Sequence, residues 1–107
     1  MINHKVRCNN FEIGNDKPFT LIAGPCQLEN ESHAIKISSE LKKITSELGI
    51  NLIYKSSFDK ANRTSLKGKR GLGLEKSLPI FDKIRKNVGV PVLTDVHTAE
   101  QCSIVAN

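Results

Sequence analysis

Apolar residues in this chain fall into two kinds of run that alternate from about residue 19 onward. Phe19-Thr-Leu-Ile-Ala-Gly24 is a short apolar stretch stopped by Gly-Pro, which predicts a buried strand. Between about Glu31 and Leu48 the apolar positions are Ala34, Ile37, Leu41, Ile44 and Leu48. That spacing of three and four predicts a helix with one apolar face, capped by Asn30 and stopped by Gly49. Ile50-Asn-Leu-Ile-Tyr-Lys55 predicts a second strand, and Leu74, Leu78, Phe81, Ile84 and Val88 a second amphipathic helix ending near Gly89. Pro79 lies in its second turn, so a later start or a kink is expected there. Val90-Pro-Val-Leu-Thr94 predicts a third strand, and Thr98 caps a third helix that runs to the last residues. The order β-α-β-α-β-α predicts parallel strands with right-handed crossovers. Residues 1–18 stand outside this repeat. There Lys5-Val-Arg-Cys8 and Phe11-Glu-Ile13 flank Asn9-Asn10, residues that tolerate positive φ, which predicts a hairpin.

Composition changes this picture in one place. The 107 residues carry 16 Lys+Arg against 11 Asp+Glu, a net charge of +5. Six cations and one anion lie between Lys55 and Arg70, and the remainder holds ten of each sign. The whole excess therefore belongs to the second strand end and the polar stretch after it. No apolar run approaches the roughly 20 residues of a spanning helix, and the N-terminus lacks the apolar core of a secretory signal, so the expected location is cytoplasmic, away from membranes. Three widely spaced cysteines argue against a disulfide framework or a CxxC zinc unit.

In parallel β/α architectures binding groups gather beyond the C-terminal ends of the strands. Here those ends bring Gly24-Pro25-Cys26-Gln27, Lys55 with the basic stretch, and Thr94-Asp95-Val96-His97 to one rim. A free cysteine is commonly a small buried hydrophobe, but Cys26 follows a Gly-Pro turn at a strand end, where a metal-ligating or nucleophilic thiolate is the alternative. Cys8 and Cys102 read as packing residues, and His4 and His33 as surface residues. Asp95 either caps the next helix or, with His97, steers a proton or a water. The basic stretch reads in three ways: a solvated charge run, a nucleic-acid surface, or a site for a small phosphorylated substrate. Phe58 is its one ring suited to base stacking, the chain has no Trp, and no recognition motif is present, so nucleic acid is not the expected partner. Lysine point charges, the Arg63 fork and the nearby Asn and Thr suit phosphate capture. The GKRGLG run at 68–73 is neither a Walker loop nor a dinucleotide fingerprint.

AGPCQLE at 23–29, YKSSFDKANRTS at 54–65, RGLGLE at 70–75 and LTDVH at 93–97 resemble the 3-deoxy-D-manno-octulosonate 8-phosphate synthases, also called 2-dehydro-3-deoxyphosphooctonate aldolases. The likeness spans essentially the whole chain. The 3-deoxy-arabino-heptulosonate 7-phosphate synthases share the AGPC turn but have a KPRTSPYSFQG-like second loop and lack TDVH. They are the alternative reading, together with a non-catalytic anion-binding module.

The resemblance implies a transferase that condenses phosphoenolpyruvate with D-arabinose 5-phosphate in lipopolysaccharide precursor synthesis. It implies phosphoenolpyruvate held by Lys55, Ser57 and Lys60, and arabinose 5-phosphate held by Asn62, Arg63 and Thr64, where Thr64 replaces a serine of many relatives. It gives Asp95 and Lys60 catalytic roles, with Asp95 near the reacting water or aldehyde. A cysteine at position 26 marks the metal-dependent class, so Cys26 is implied as one ligand of a divalent metal ion. The family's full (β/α)8 TIM barrel takes about 250 residues, and residues 19–107 supply about three βα units after the hairpin. The expectation is an N-terminal portion of such an enzyme, inactive alone, whose complete form is a homotetramer.

Overall fold

The computed structural model describes residues 2–59 and 73–107. Strands β1 (Lys5–Cys8) and β2 (Phe11–Gly14) pair antiparallel from Lys5↔Gly14 to Cys8↔Phe11. The turn between them is relieved at Asn9, whose φ is 52°. Asparagine reaches this left-handed region more readily than most residues.

The second sheet is parallel, in the order β3 (Thr20–Ala23), β4 (Asn51–Lys55), β5 (Val92–Leu93). Helix α1 (Glu31–Leu48) connects β3 to β4, α2 (Leu74–Lys83) precedes β5, and α3 (Ala99–Ala106) follows it. Strand β5 is shorter than the apolar run around it. Pro91 has no N–H to give a ladder, though its carbonyl still accepts from Tyr54 N–H at 2.9 Å.

Helix α1 has the expected bounds. Asn30 Oδ1 accepts from His33 N–H at 2.8 Å, and Gly49, at φ 71°, donates back to Ser46 and Thr45 carbonyls. Its buried stripe differs from the apolar one. Ala34, Ser38 and Thr45 are buried, whereas Ile44 and Leu48 are exposed. The two hydroxyls are tolerated inside because each bonds a carbonyl of its own helix, Ser38 to Ile35 and Thr45 to Leu41. Small side chains on this stripe let the helix lie close to the sheet.

Helix α2 does not start late, and it continues through Pro79. It runs from Leu74 and passes into a π-helical segment, Ile84–Val88, closed by Gly89 at φ 79°. In its first turn Ser77 Oγ donates to Gly73 O at 2.6 Å. Helices α1 and α2 are linked across the surface by Lys83 and Glu31 at 2.9 Å, an exposed pair of small energetic weight.

The core lies on the helix side of the parallel sheet, where Leu52 and Tyr54 of β4 meet Leu28, Ala34, Phe58, Ile80, Phe81, Ile84 and Val90. Leu21 and Ala23 of β3 pack against the same cluster. By strand alternation Ile22, Ile53, Lys55 and Leu93 project to the opposite face. Ile22 pairs with Ile53 and Lys55 with Leu93 along it, and Ile22 and Leu93 are exposed. An apolar sheet face with polar groups at one end thus lies on the side away from the helices, open at Ile22 and Leu93 and closed over the buried Ile53 between them.

Candidate functional site

The three strands end at a common rim, and the rim is tightly built. A Cβ placed on Gly24 would stand 1.9 Å from the Lys55 carbonyl oxygen, so β3 and β4 approach here as only glycine permits. Beyond this contact the ladder changes step. Ala23 pairs with Tyr54 and the next bridge is Gln27 with Ser57, so the β3 side carries one residue more than the β4 side. The extra residue falls in the Pro25-Cys26 turn, as in a bulge. Leu28 N–H then donates to Ser57 O at 2.8 Å and Ser57 N–H to Cys26 O at 3.2 Å.

Alternation separates the serine doublet. Ser56 points to the core side, fully buried, and donates to Pro25 O at 2.9 Å. Ser57 follows Lys55 on the open face, and its hydroxyl donates to Asp95 Oδ1 at 2.5 Å. Asp95 lies two residues past Leu93, so Lys55, Ser57 and Asp95 share one face at the rim. His97 Nδ1 is 3.9 Å from Asp95 Oδ2, and its Nε2 meets the Asp59 carbonyl at 2.5 Å. A carbonyl only accepts, so Nε2 carries the ring proton and bare Nδ1 faces Asp95 in the neutral form. The Phe58 ring lies 5.4 Å from that of His97, and Gln101 Oε1 accepts from His97 N–H at 2.7 Å and Thr98 N–H at 3.2 Å. Asp95 is therefore not the cap of α3, because Thr98 and Gln101 close that helix start.

Partial burial opposes ionisation of Asp95, but the Ser57 hydroxyl, its own backbone N–H and the nearby Lys55 and His97 outweigh it, so its carboxyl sits below the usual carboxylate range. Asp95 is a carboxylate at neutral pH, an acceptor and a base. A lowered folded-state pKa adds stability above the unfolded carboxyl's pKa, and this contribution is lost as pH falls through the folded value. Ser57→Ala removes the main favourable contact, so the Asp95 pKa should move up toward the ordinary value and the acid loss of stability should shrink. Titration of the Asp95 carboxyl carbon by NMR measures this shift directly.

Cys26 is exposed at the rim turn. Cys102 is also exposed and Cys8 half-buried, so Cys102 is not the packing residue its spacing suggests: it sits on α3, which buries no side chain. Phe58 is 2% exposed, which removes the one ring of the basic stretch that the nucleic-acid reading needed for stacking. Of the expected substrate-binding residues, Lys55 and Ser57 come together with Asp95. Lys60, Asn62, Arg63 and Thr64 lie outside the described residues, as do Lys67, Lys69 and Arg70. Among the described residues no three His, Cys, Asp or Glu side chains converge as a metal site. Cys26 offers one soft donor and no ligand set. Ser56 and Gly24 were not singled out by sequence reasoning. Their signal was present in the Gly-Pro that ends β3 and in the two adjacent serines, which must face opposite sides of a strand.

The model of the DAHP synthetase I family matches residues 3–107. The chain belongs to this family. Curated relatives named 2-dehydro-3-deoxyphosphooctonate aldolase, from Brucella anthropi, Brucella ovis and Brucella canis, are 56% identical to it over 104 residues. The match covers 97% of this chain and 38% of each of those proteins. This member of the DAHP synthetase I family therefore spans well under half the length of the curated relatives it matches. Its mixed α/β fold with three parallel strands is compatible with part of a TIM barrel, and no helix among the described residues is long and apolar enough to cross a membrane.

Proposed function

We propose that this chain contributes the first three βα units, and with them part of the substrate-binding rim, of an octulosonate 8-phosphate synthase barrel. The observation that carries the reading is the convergence of Lys55, Ser57 and Asp95 on one face at the C-terminal ends of parallel strands. The relatives' name supports the same reaction. In it carbon 3 of phosphoenolpyruvate forms a bond to the aldehyde carbon of D-arabinose 5-phosphate, a water oxygen adds at carbon 2, and the carbon 2 to phosphate oxygen bond breaks to release inorganic phosphate.

The parts assigned to Lys55, Ser57 and Asp95 are consistent with their setting, and those of Lys60, Asn62, Arg63 and Thr64 rest on the resemblance. Lys55, with Lys60 and the Ser57 hydroxyl, neutralises and orients phosphoenolpyruvate, while Asn62, Arg63 and Thr64 hold the sugar phosphate. Asp95, ionised and fixed by Ser57, accepts a proton from the attacking water or orients it beside the aldehyde. A divalent ion enters this proposal only so far as Cys26 offers it one thiolate, so no step is assigned to it. The open apolar face bearing Ile22 and Leu93 suits the interior of a barrel completed by further strands, and a tetramer is the proposed assembly of that complete protein.

Aldose choice separates the two synthase readings. An eight-carbon product needs a five-carbon sugar phosphate and a seven-carbon product a four-carbon one. A chimera in which residues 1–107 replace the matching segment of the Brucella anthropi relative should use the pentose phosphate and reject the tetrose phosphate. Preference for the tetrose would transfer the chain to the heptulosonate reading.

A further inference from the structure

The changed step of the ladder between Ala23↔Tyr54 and Gln27↔Ser57 leaves the turn with a carbonyl, that of Pro25, beside β4 where the regular pairing is interrupted. Pro25 has no N–H of its own to anchor the turn. The group that meets its carbonyl is the Ser56 hydroxyl, at 2.9 Å from a residue with no exposed surface. Tyr54, two residues earlier on the same side of β4, is equally buried; burial pushes its hydroxyl pKa up, and the Ser56 side chain beside it partly offsets this. Ser56 is thus the one side chain of β4 and its extension seen to bond this turn among the described residues. We propose that Ser56 is a positioning residue, a buried hydroxyl that locks the Cys26-bearing turn onto the β4 rim and thereby fixes both the Cys26 thiol and the backbone of Ser57.

The chain of contacts is short. Ser56 Oγ holds Pro25 O. One residue on, Cys26 O accepts from Ser57 N–H, and Ser57 O accepts from Leu28 N–H. Ser57 Oγ then meets Asp95. Freeing Pro25 leaves a half-buried acceptor without its protein partner and lets the turn lift, so the two amide bonds to the rim open more often. The importance of Cys26 and Ser57 rests on the proposed function, whereas the lock rests on geometry alone, and its test needs no substrate and no metal.

The experiment compares the chain, Ser56→Ala and Ser56→Thr by hydrogen exchange and by iodoacetamide labelling. In Ser56→Ala the Leu28 and Ser57 amides should exchange about tenfold faster, while the Tyr54 amide, bonded to Pro91 on the other edge of β4, keeps its rate. Labelling of Cys26 should speed up relative to Cys8 and Cys102, and Ser56→Thr, which keeps the hydroxyl, should restore both readouts. Unchanged exchange at Leu28 and Ser57 would overturn the proposal. So would equal acceleration at all amides and all three thiols, because that reports general loosening rather than a local lock. A loss of turnover in the chimera with the lock intact would instead count against the proposed function alone.

Discussion

Gly24→Ala should destabilise the fold by about 3 kcal/mol or more, because the new methyl group would sit on backbone atoms that cannot turn aside. The added Cβ meets Lys55 O at 1.9 Å and Lys55 C at 2.8 Å. Relief requires β3 and β4 to part at the rim, which breaks the Leu28 N–H bond to Ser57 O and the Ser57 N–H bond to Cys26 O and moves Cys26 away from Lys55. Gly14→Ala is the matched control, since nothing there comes nearer than 3.4 Å. Urea denaturation of the two variants should show a large fall in midpoint for Gly24→Ala and little change for Gly14→Ala. Equal midpoints would mean that the close approach at the rim is not a feature of the protein.

Asp95→Asn should reduce the turnover of the chimera by about 100-fold or more while leaving its fold intact, the usual scale for loss of a positioned acid or base. The side chain is 44% exposed, so removing its charge costs little in folding. Asparagine keeps an oxygen to accept from Ser57, and what disappears is the carboxylate that Lys55 and His97 favour. A kcat within a few-fold of the parent, with thermal melting unchanged, would remove Asp95 from the chemistry and leave it a structural partner of Ser57.

Why some features were legible in sequence and others not has physical causes that differ from element to element. Helix α1 was readable because Asn30 and Gly49 mark its ends chemically. The face it buries was not, since Ser38 and Thr45 look polar until their hydroxyls are spent on their own helix carbonyls. Strand β5 was overestimated because hydropathy does not register the donor that Pro91 lacks. At the rim, strand alternation already places Lys55 and Ser57 together, and the TDVH segment supplies Asp95. The hydrogen bond from Ser57 to Asp95 joins residues 38 positions apart and depends on the register between β4 and β5, which no local pattern encodes. The role of Ser56 depends likewise on a one-residue change of step that appears only when β3 and β4 are paired. The concentration of charge between Lys55 and Arg70 is a sequence fact, and its assignment to two phosphorylated substrates comes from resemblance.

Residues 1–107 are proposed to carry a working part of a phosphoenolpyruvate and pentose phosphate site. Phosphate release by the chimera, followed with phosphoenolpyruvate in the presence and absence of D-arabinose 5-phosphate, tests it most directly. Release that requires the sugar phosphate and proceeds at a rate comparable to the Brucella anthropi protein is the predicted result. A well-folded chimera that releases no phosphate with both substrates present would contradict the account.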